Sequence, residues 1–160
     1  MHGDDTNGLK LFRRDDEKTP KTENACRDIL LDRIRGRLFA LGVNIEKEGQ
    51  AAHDSRTDMR VESMKAGGRI AVPIEIKKED KSELWSAWRT QLRTYARDPA
   101  SEGVGIYLVL WFGLNPRATP EGIRPTTPKH LVELLSAMIP EEDRFRLHVA
   151  AIDLSMTRLI

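Results

Sequence analysis

An aspartate, a Glu-x-Lys and a Gln-x-x-x-Tyr are the residues of this chain whose types and spacing could do chemistry. Asp58 opens a short alternating stretch, Asp58-Met59-Arg60-Val61. With sixteen residues between it and Asp58, Glu75-Ile76-Lys77 closes an apolar run, and thirteen further residues separate Lys77 from Gln91-Leu92-Arg93-Thr94-Tyr95. Successive side chains on a strand point to opposite faces. Val72, Ile74 and Ile76 therefore share one face, and Pro73, Glu75 and Lys77 the other. A carboxylate and an ammonium two residues apart on a strand lie ~6.6 Å apart along it. That suits one group holding a hard metal ion while the other activates a water beside it. Charged residues are 32% of the chain, so Glu-x-Lys alone carries little, and Glu79-Asp80-Lys81 repeats it. The second copy lies in an unbroken polar run and reads as a solvated connector. The first is set in a strand-like run, where burying charge is costly unless it is paired or metal-bound.

The elements that must position these residues follow from periodicity. Residues 1 to about 22 are polar and read as a mobile tail, leaving 23–160 as one domain. Leu30, Ile34, Leu38 and Leu41 mark the buried stripe of a helix over 23–41, stopped by Gly42. Strands are expected over 43–47, 58–61 and 69–77, with a loop over 49–55 and a turn at Gly67-Gly68. Pro73 within the third strand signals a bulge or an unpaired side. Asp80 and Glu83 form a capping-box pattern for a helix to about Arg97. Its apolar face holds Leu84, Trp85, Trp88, Leu92 and Tyr95, with Gln91 on the edge and Arg89, Arg93 and Arg97 on a separate stripe. Gly103 to Trp111 is apolar on both sides, as in a central strand. A Pro-rich loop over 113–127, a helix over 128–139 behind Thr127 and a strand over 146–154 complete the chain. Helices interleaved with strands predict an α/β fold with a mixed central sheet.

Asp58, Glu75-Ile76-Lys77 and Gln91-x-x-x-Tyr95 resemble the PD-(D/E)XK, or restriction-endonuclease-like, nuclease superfamily, and the Gln-x-x-x-Tyr resembles its RecB-like branch. The likeness covers roughly residues 23–112; no Pro or Gly directly precedes Asp58, a departure from the pattern. The resemblance implies a core of helix, three strands, helix and strand, here followed by a C-terminal helix and strand. It implies a nuclease dependent on Mg²⁺ or Mn²⁺ that hydrolyses phosphodiester bonds, DNA foremost. Asp58 and Glu75 would be the metal ligands, joined by the Ile76 carbonyl, and Lys77 the lysine beside the attacking water. Glu23 would hold a second metal or its water. Gln91 would hydrogen-bond substrate or Lys77, Tyr95 would back the site, and Arg89 and Arg93 would meet the DNA backbone. A helicase or other motor in trans, a second copy of the chain, and a bacterial phage-defence or mobile-element setting are contexts the resemblance brings with it. The alternatives are a non-catalytic module of the same fold that binds nucleic acid or protein, and a helix-rich adaptor.

Bulk properties bound these expectations. Net charge is +1, but residues 56–97 hold ten bases and six acids, a local excess of +4 around the motif. One cysteine, Cys26, forms no internal disulfide, and with four scattered histidines it argues against structural zinc. No Gly-x4-Gly-Lys loop is present, which argues against an ATPase of that type. No apolar run approaches about eighteen residues and no apolar leader is visible, so a cytoplasmic protein outside the membrane is expected.

Overall fold

The structure, a computed structural model, describes residues 6–47, 58–65 and 67–156. The loop expected over 49–55, with His53, lies outside them. In chain order the elements are α1 (Thr6–Lys10), α2 (Glu23–Phe39), β1 (Asn44–Lys47), β2 (Met59–Lys65) and β3 (Gly68–Lys78). A π-helical turn (Trp88–Leu92) then runs into α3 (Arg93–Tyr95), followed by β4 (Gly105–Trp111), α4 (Pro128–Met138) and β5 (Leu147–Asp153). The five strands form one mixed sheet in sequential order. β1–β2 and β2–β3 pair antiparallel, and β3–β4 and β4–β5 pair parallel. Parallel neighbours need crossover connections; the segment 82–96 and α4 supply them. Both pack on one sheet face, burying Leu84, Trp88 and Leu92 with Tyr107, Val109, Leu131 and Leu135. α2 covers the opposite face, where Cys26, Leu30 and Leu31 meet Ile45, Met59, Ile74 and Ile76. Among the described residues no helix is long and apolar enough to cross a membrane.

The mixed sheet and flanking helices match the expected class, and four departures have physical causes. First, the segment 8–22 is largely exposed but is anchored at Phe12 and Arg13, where a mobile polar tail was expected. Phe12 is buried in the α2-side core, and the buried Arg13 guanidinium donates to the Leu154 carbonyl at 3.0 Å and lies over the Phe112 ring. One buried aromatic and one shared carbonyl suffice to seat a segment with no apolar periodicity. Second, α2 starts behind Thr22, whose hydroxyl accepts from the Ala25 N–H, but its buried set is Cys26, Arg27, Leu30 and Leu31. Ile34 and Leu38 are half-buried, and Leu41 is 76% exposed. The helix stops at Phe39 and Gly42 turns the chain at φ 72°, so Leu41 lies beyond the helical face.

Third, the capping box at Asp80 does not form. Asp80 sits 3.8 Å from the Lys78 ammonium, and residues 80–86 wind as successive turns. Tyr107 donates its hydroxyl to the Leu84 carbonyl (2.8 Å) and the Trp88 indole donates to the Trp85 carbonyl (3.1 Å). Two acceptors that an α-helix would use are thus taken by side chains. The chain then closes an i→i+5 bond from the Arg93 N–H to the Trp88 carbonyl, the extra-residue turn that marks a π-bulge. The expected apolar face is nonetheless buried: Leu84, Trp85, Trp88, Leu92 and Tyr95. Gly105 makes the close approach possible, since a Cβ there would lie 2.8 Å from the Leu92 side chain. Fourth, β2 runs to Lys65, longer than expected. Its ladder with β3 passes through Pro73 without a bulge, and pairing with β4 begins only at Ile74, which leaves β3 unpaired on one side at the proline.

Candidate active site

The site arises because β3 outlasts its antiparallel partner. The β2–β3 ladder ends at Met59 opposite Ile74, while β3 continues to Lys78 along β4. Among the described residues no strand meets the main-chain groups of β3 beyond Ile74 on the edge that faced β2, and buried N–H groups must find acceptors. Two carboxylates take that place. Asp58, one residue before β2, accepts from the Ile76 N–H at 2.8 Å, and Glu23, first in α2, accepts from the Lys78 N–H at 2.8 Å. A residue's N–H and C=O leave a strand on the same side. The Ile76 carbonyl therefore shares that edge with Asp58.

Continuing the register one step past Met59–Ile74 sets Asp58 opposite Glu75, and directly opposed residues share a sheet face. Lys77 follows on that face, 8% exposed, with Glu75 at 3%. The Lys77 ammonium donates to Glu75 Oε1 and lies 3.8 Å from Glu23 Oε1. Arg27, one turn after Glu23 on α2 and 4% exposed, brings Nη1 to 3.7 Å from Asp58 Oδ1. Three carboxylates and two cations thus meet where β2 ends.

Charge and burial act on these groups together. Burial, reinforced by the Asp58 charge, pushes Glu75 up to about 7 against the opposing pull of Lys77. Burial also raises Glu23, offset by the Lys78 N–H and the Lys77 charge. For Lys77, burial alone disfavours the ammonium, but Glu75, Glu23 and Asp58 outweigh it and the group is raised. Burial, then the Glu75 and Asp58 charges, raises the Tyr95 phenol, which places Tyr95 within electrostatic reach of both acids.

Of the residues singled out by sequence, Asp58, Glu75, Ile76, Lys77 and Glu23 meet here, and Tyr95 lies within reach of the charges of Glu75 and Asp58. Gln91 is half-buried, its Oε1 sealed from solvent without a donor. It makes no bond to Lys77, whose partners are the two glutamates. Arg89 and Arg93 part company across the π turn. Arg93 pairs with Asp143 at 3.2 Å in a cleft beside Arg97, while Arg89 lines a different groove. Arg27 was not anticipated. Its signal was an arginine inside the inward stripe of α2, at i+4 from Glu23.

Among the described residues no three His, Cys, Asp or Glu side chains close on one point at metal-ligating distance. Glu23, held by the Lys78 N–H, stands beside Lys77 and not as a third acid on a common ion. Asp58, Glu75 and the Ile76 carbonyl would offer a metal oxygen donors only, the kind that Mg²⁺ or Mn²⁺ takes; Mg²⁺ typically takes one or two carboxylates and keeps several waters.

Fold and site together define an α/β protein with a mixed five-stranded sheet and a carboxylate–lysine cluster at the end of a truncated antiparallel ladder. The chain belongs to the family described as Domain of unknown function (DUF8371), which matches residues 4–114 and so includes every residue of the cluster. No curated protein and no solved structure matches the chain.

Proposed function

We propose that this protein is a metal-dependent nuclease of the PD-(D/E)XK type that hydrolyses phosphodiester bonds, with DNA as its substrate. The observation that carries the reading is the meeting of Asp58, Glu75 and Lys77 on one sheet face beside the Ile76 carbonyl. The order α2, β1, β2, β3, helical segment, β4 is also the core order that the resemblance implies. A hard divalent cation held by Asp58, Glu75 and the Ile76 carbonyl would supply positive charge to the phosphoryl oxygens and a more acidic water. Asp58 is fixed for ligation by the Ile76 N–H on one oxygen and faced by Arg27 on the other. Lys77 orients the attacking water and offsets negative charge growing on the phosphoryl group. Tyr95, within reach of the Glu75 and Asp58 charges, backs the site from the helix side. Buried, mutually repelling acids are costly to keep, which favours a catalytic site over a non-catalytic module.

The test is incubation with plasmid, linear duplex, single-stranded DNA and RNA in Mg²⁺, Mn²⁺ or EDTA. Cleavage that needs the metal and is lost in Asp58→Ala, Glu75→Ala and Lys77→Ala supports the reading. Near-full activity in any of these folded variants contradicts it, and absence of metal-dependent cleavage on every substrate favours the binding module.

A further inference from the structure

The two edges of the sheet are guarded unequally. An edge strand leaves a row of main-chain N–H and C=O groups unpaired, a template for another strand unless charges, proline, a bulge or short length blunt it. β1, at one edge, is four residues long, and Glu46 and Lys47 are two of them. β5, at the other edge, keeps a continuous seven-residue register with β4 and carries no Lys, Arg, Glu or Pro. Which of its groups face outward follows from the ladder. Gly105 donates to the Arg146 carbonyl (3.0 Å) and Leu154 donates to the Trp111 carbonyl (2.7 Å). His148, Ala150 and Ile152 therefore also turn their main chain to β4, and Leu147, Val149, Ala151 and Asp153 turn theirs outward. Among the described residues no strand pairs with that outer row. The side chains of His148 and Ala150 are exposed, so the strand is open on the α2 side.

We propose that β5 is the interface for a second copy of this chain, paired antiparallel with its own β5 so that the two five-stranded sheets become one. The strand is complementary to itself. A two-fold axis at Ala150 pairs the outward groups of Leu147 with those of Asp153 in the second copy, and those of Val149 with those of Ala151. Small apolar residues then meet at the centre. Charge selects the same direction. Arg146 lies just before β5 and Asp153 ends it, both exposed. Antiparallel pairing lays the cation of each copy beside the acid of the other, whereas parallel pairing sets Asp153 against Asp153. Phe145, 65% exposed under the Arg146 guanidinium, falls opposite Ser155 of the second copy and next to Met156, itself 40% exposed. With one open edge per chain the assembly closes at two copies. This interface lies outside the carboxylate–lysine cluster and does not depend on the nuclease reading.

Sedimentation velocity of the full chain over a concentration series reads the assembly. Wild type should pass from monomer to dimer and be mostly dimeric by about 100 μM. Ala150→Lys changes an exposed side chain of the monomer but sets two ammonium groups directly opposite across the axis. It should weaken the dimer about fivefold or more. Ala150→Glu should do the same, and mixing the two variants should restore dimers. Ala151→Pro removes an outward N–H and no bond to β4, and should abolish the dimer. Ala150→Cys should form an interchain disulfide on mild oxidation, because a directly opposed pair of this kind has its Cα atoms about 4.5 Å apart. His148→Cys, displaced from the axis, should not, and the buried Cys26 does not compete. Circular dichroism and melting confirm that each variant folds. A wild type that stays monomeric to about 100 μM overturns the interface. So does a dimer that the lysine and proline variants leave unchanged, or one that His148→Cys links as readily as Ala150→Cys. Open-ended assemblies, or a β5 that pairs only with another protein, overturn it as well.

Discussion

The two Glu-x-Lys copies, Glu75-Ile76-Lys77 and Glu79-Asp80-Lys81, begin four residues apart and meet opposite fates. Glu75 is buried against Lys77 and the repelling Asp58, with its carboxylate bonded to a movable ammonium. Glu79 is 2% exposed, so it is not the solvated connector expected from its polar surroundings. Its carboxylate accepts from the N–H groups of Phe112, Gly113 (3.0 Å), Leu114 (2.8 Å) and Asn115 (3.3 Å), where the chain leaves β4. Successive N–H groups of this kind form an anion nest. One glutamate is thus saturated by fixed main-chain donors and holds a loop. The other is left with partners that a ligand can replace. The difference lies in the strand end: Glu75 points off a sheet face still flanked by β4, whereas Glu79 lies one residue past β3, beside the last residues of β4.

That contrast is broken most decisively by rate. Glu75→Gln or Lys77→Ala should lower cleavage by about 10³-fold, equivalent to about 4 kcal/mol of barrier, with the fold kept by circular dichroism. Equal loss in Glu79→Gln at a temperature where it is fully folded would merge the two copies. Stability reverses the ranking. Glu79→Gln replaces a four-fold acceptor and should cost about 3 kcal/mol, lowering Tm by roughly 6–12 °C in calorimetry, whereas Glu75→Gln should not lower it. Arg27 sharpens the picture, because it faces Asp58 in the first copy's surroundings. Arg27→Gln should weaken Mn²⁺ binding about 10- to 100-fold, as loss of a supporting partner does, with Arg27→Lys recovering part of it. Unchanged affinity in calorimetric titration would make Arg27 a packing residue.

The last comparison is in pH. Glu75 lies at about 7 in the folded protein against an ordinary 4.5. Between those values the folded state keeps a proton that the unfolded chain has released. Stability from this group therefore falls as pH rises through the window and does not recover above it. Urea unfolding in EDTA at a series of pH values should show wild type losing stability relative to Glu75→Gln across pH 4.5–7. A difference that stays flat, or rises with pH, contradicts this environment for Glu75.

Much of the fold was legible because it rests on alternation and capping. β3, β4 and α4 follow from apolar runs and from Thr127, whose hydroxyl accepts from the His130 N–H at 3.1 Å. The shared face of Glu75 and Lys77 was legible because strand period is a local rule, whereas Asp58 was set beside them by the resemblance alone. What escaped depends on partners distant in sequence. The Glu79 nest needs residues 112–115, the turn-and-π segment needs Tyr107, and the seat of Phe12 needs the core under α2. Arg27 escaped for a different reason: a charge inside an apolar stripe looks like an interruption until Asp58 is beside it.

Calorimetric titration of Mn²⁺ into wild type, Asp58→Asn, Glu75→Gln and Glu79→Gln tests the central claim most directly. Asp58 and Glu75 are held to share one divalent cation next to Lys77. Wild type and Glu79→Gln should bind one ion per chain with similar affinity, and Asp58→Asn and Glu75→Gln should lose it. Binding that survives both of those substitutions, or that fails in Glu79→Gln while its fold is intact, would contradict the account.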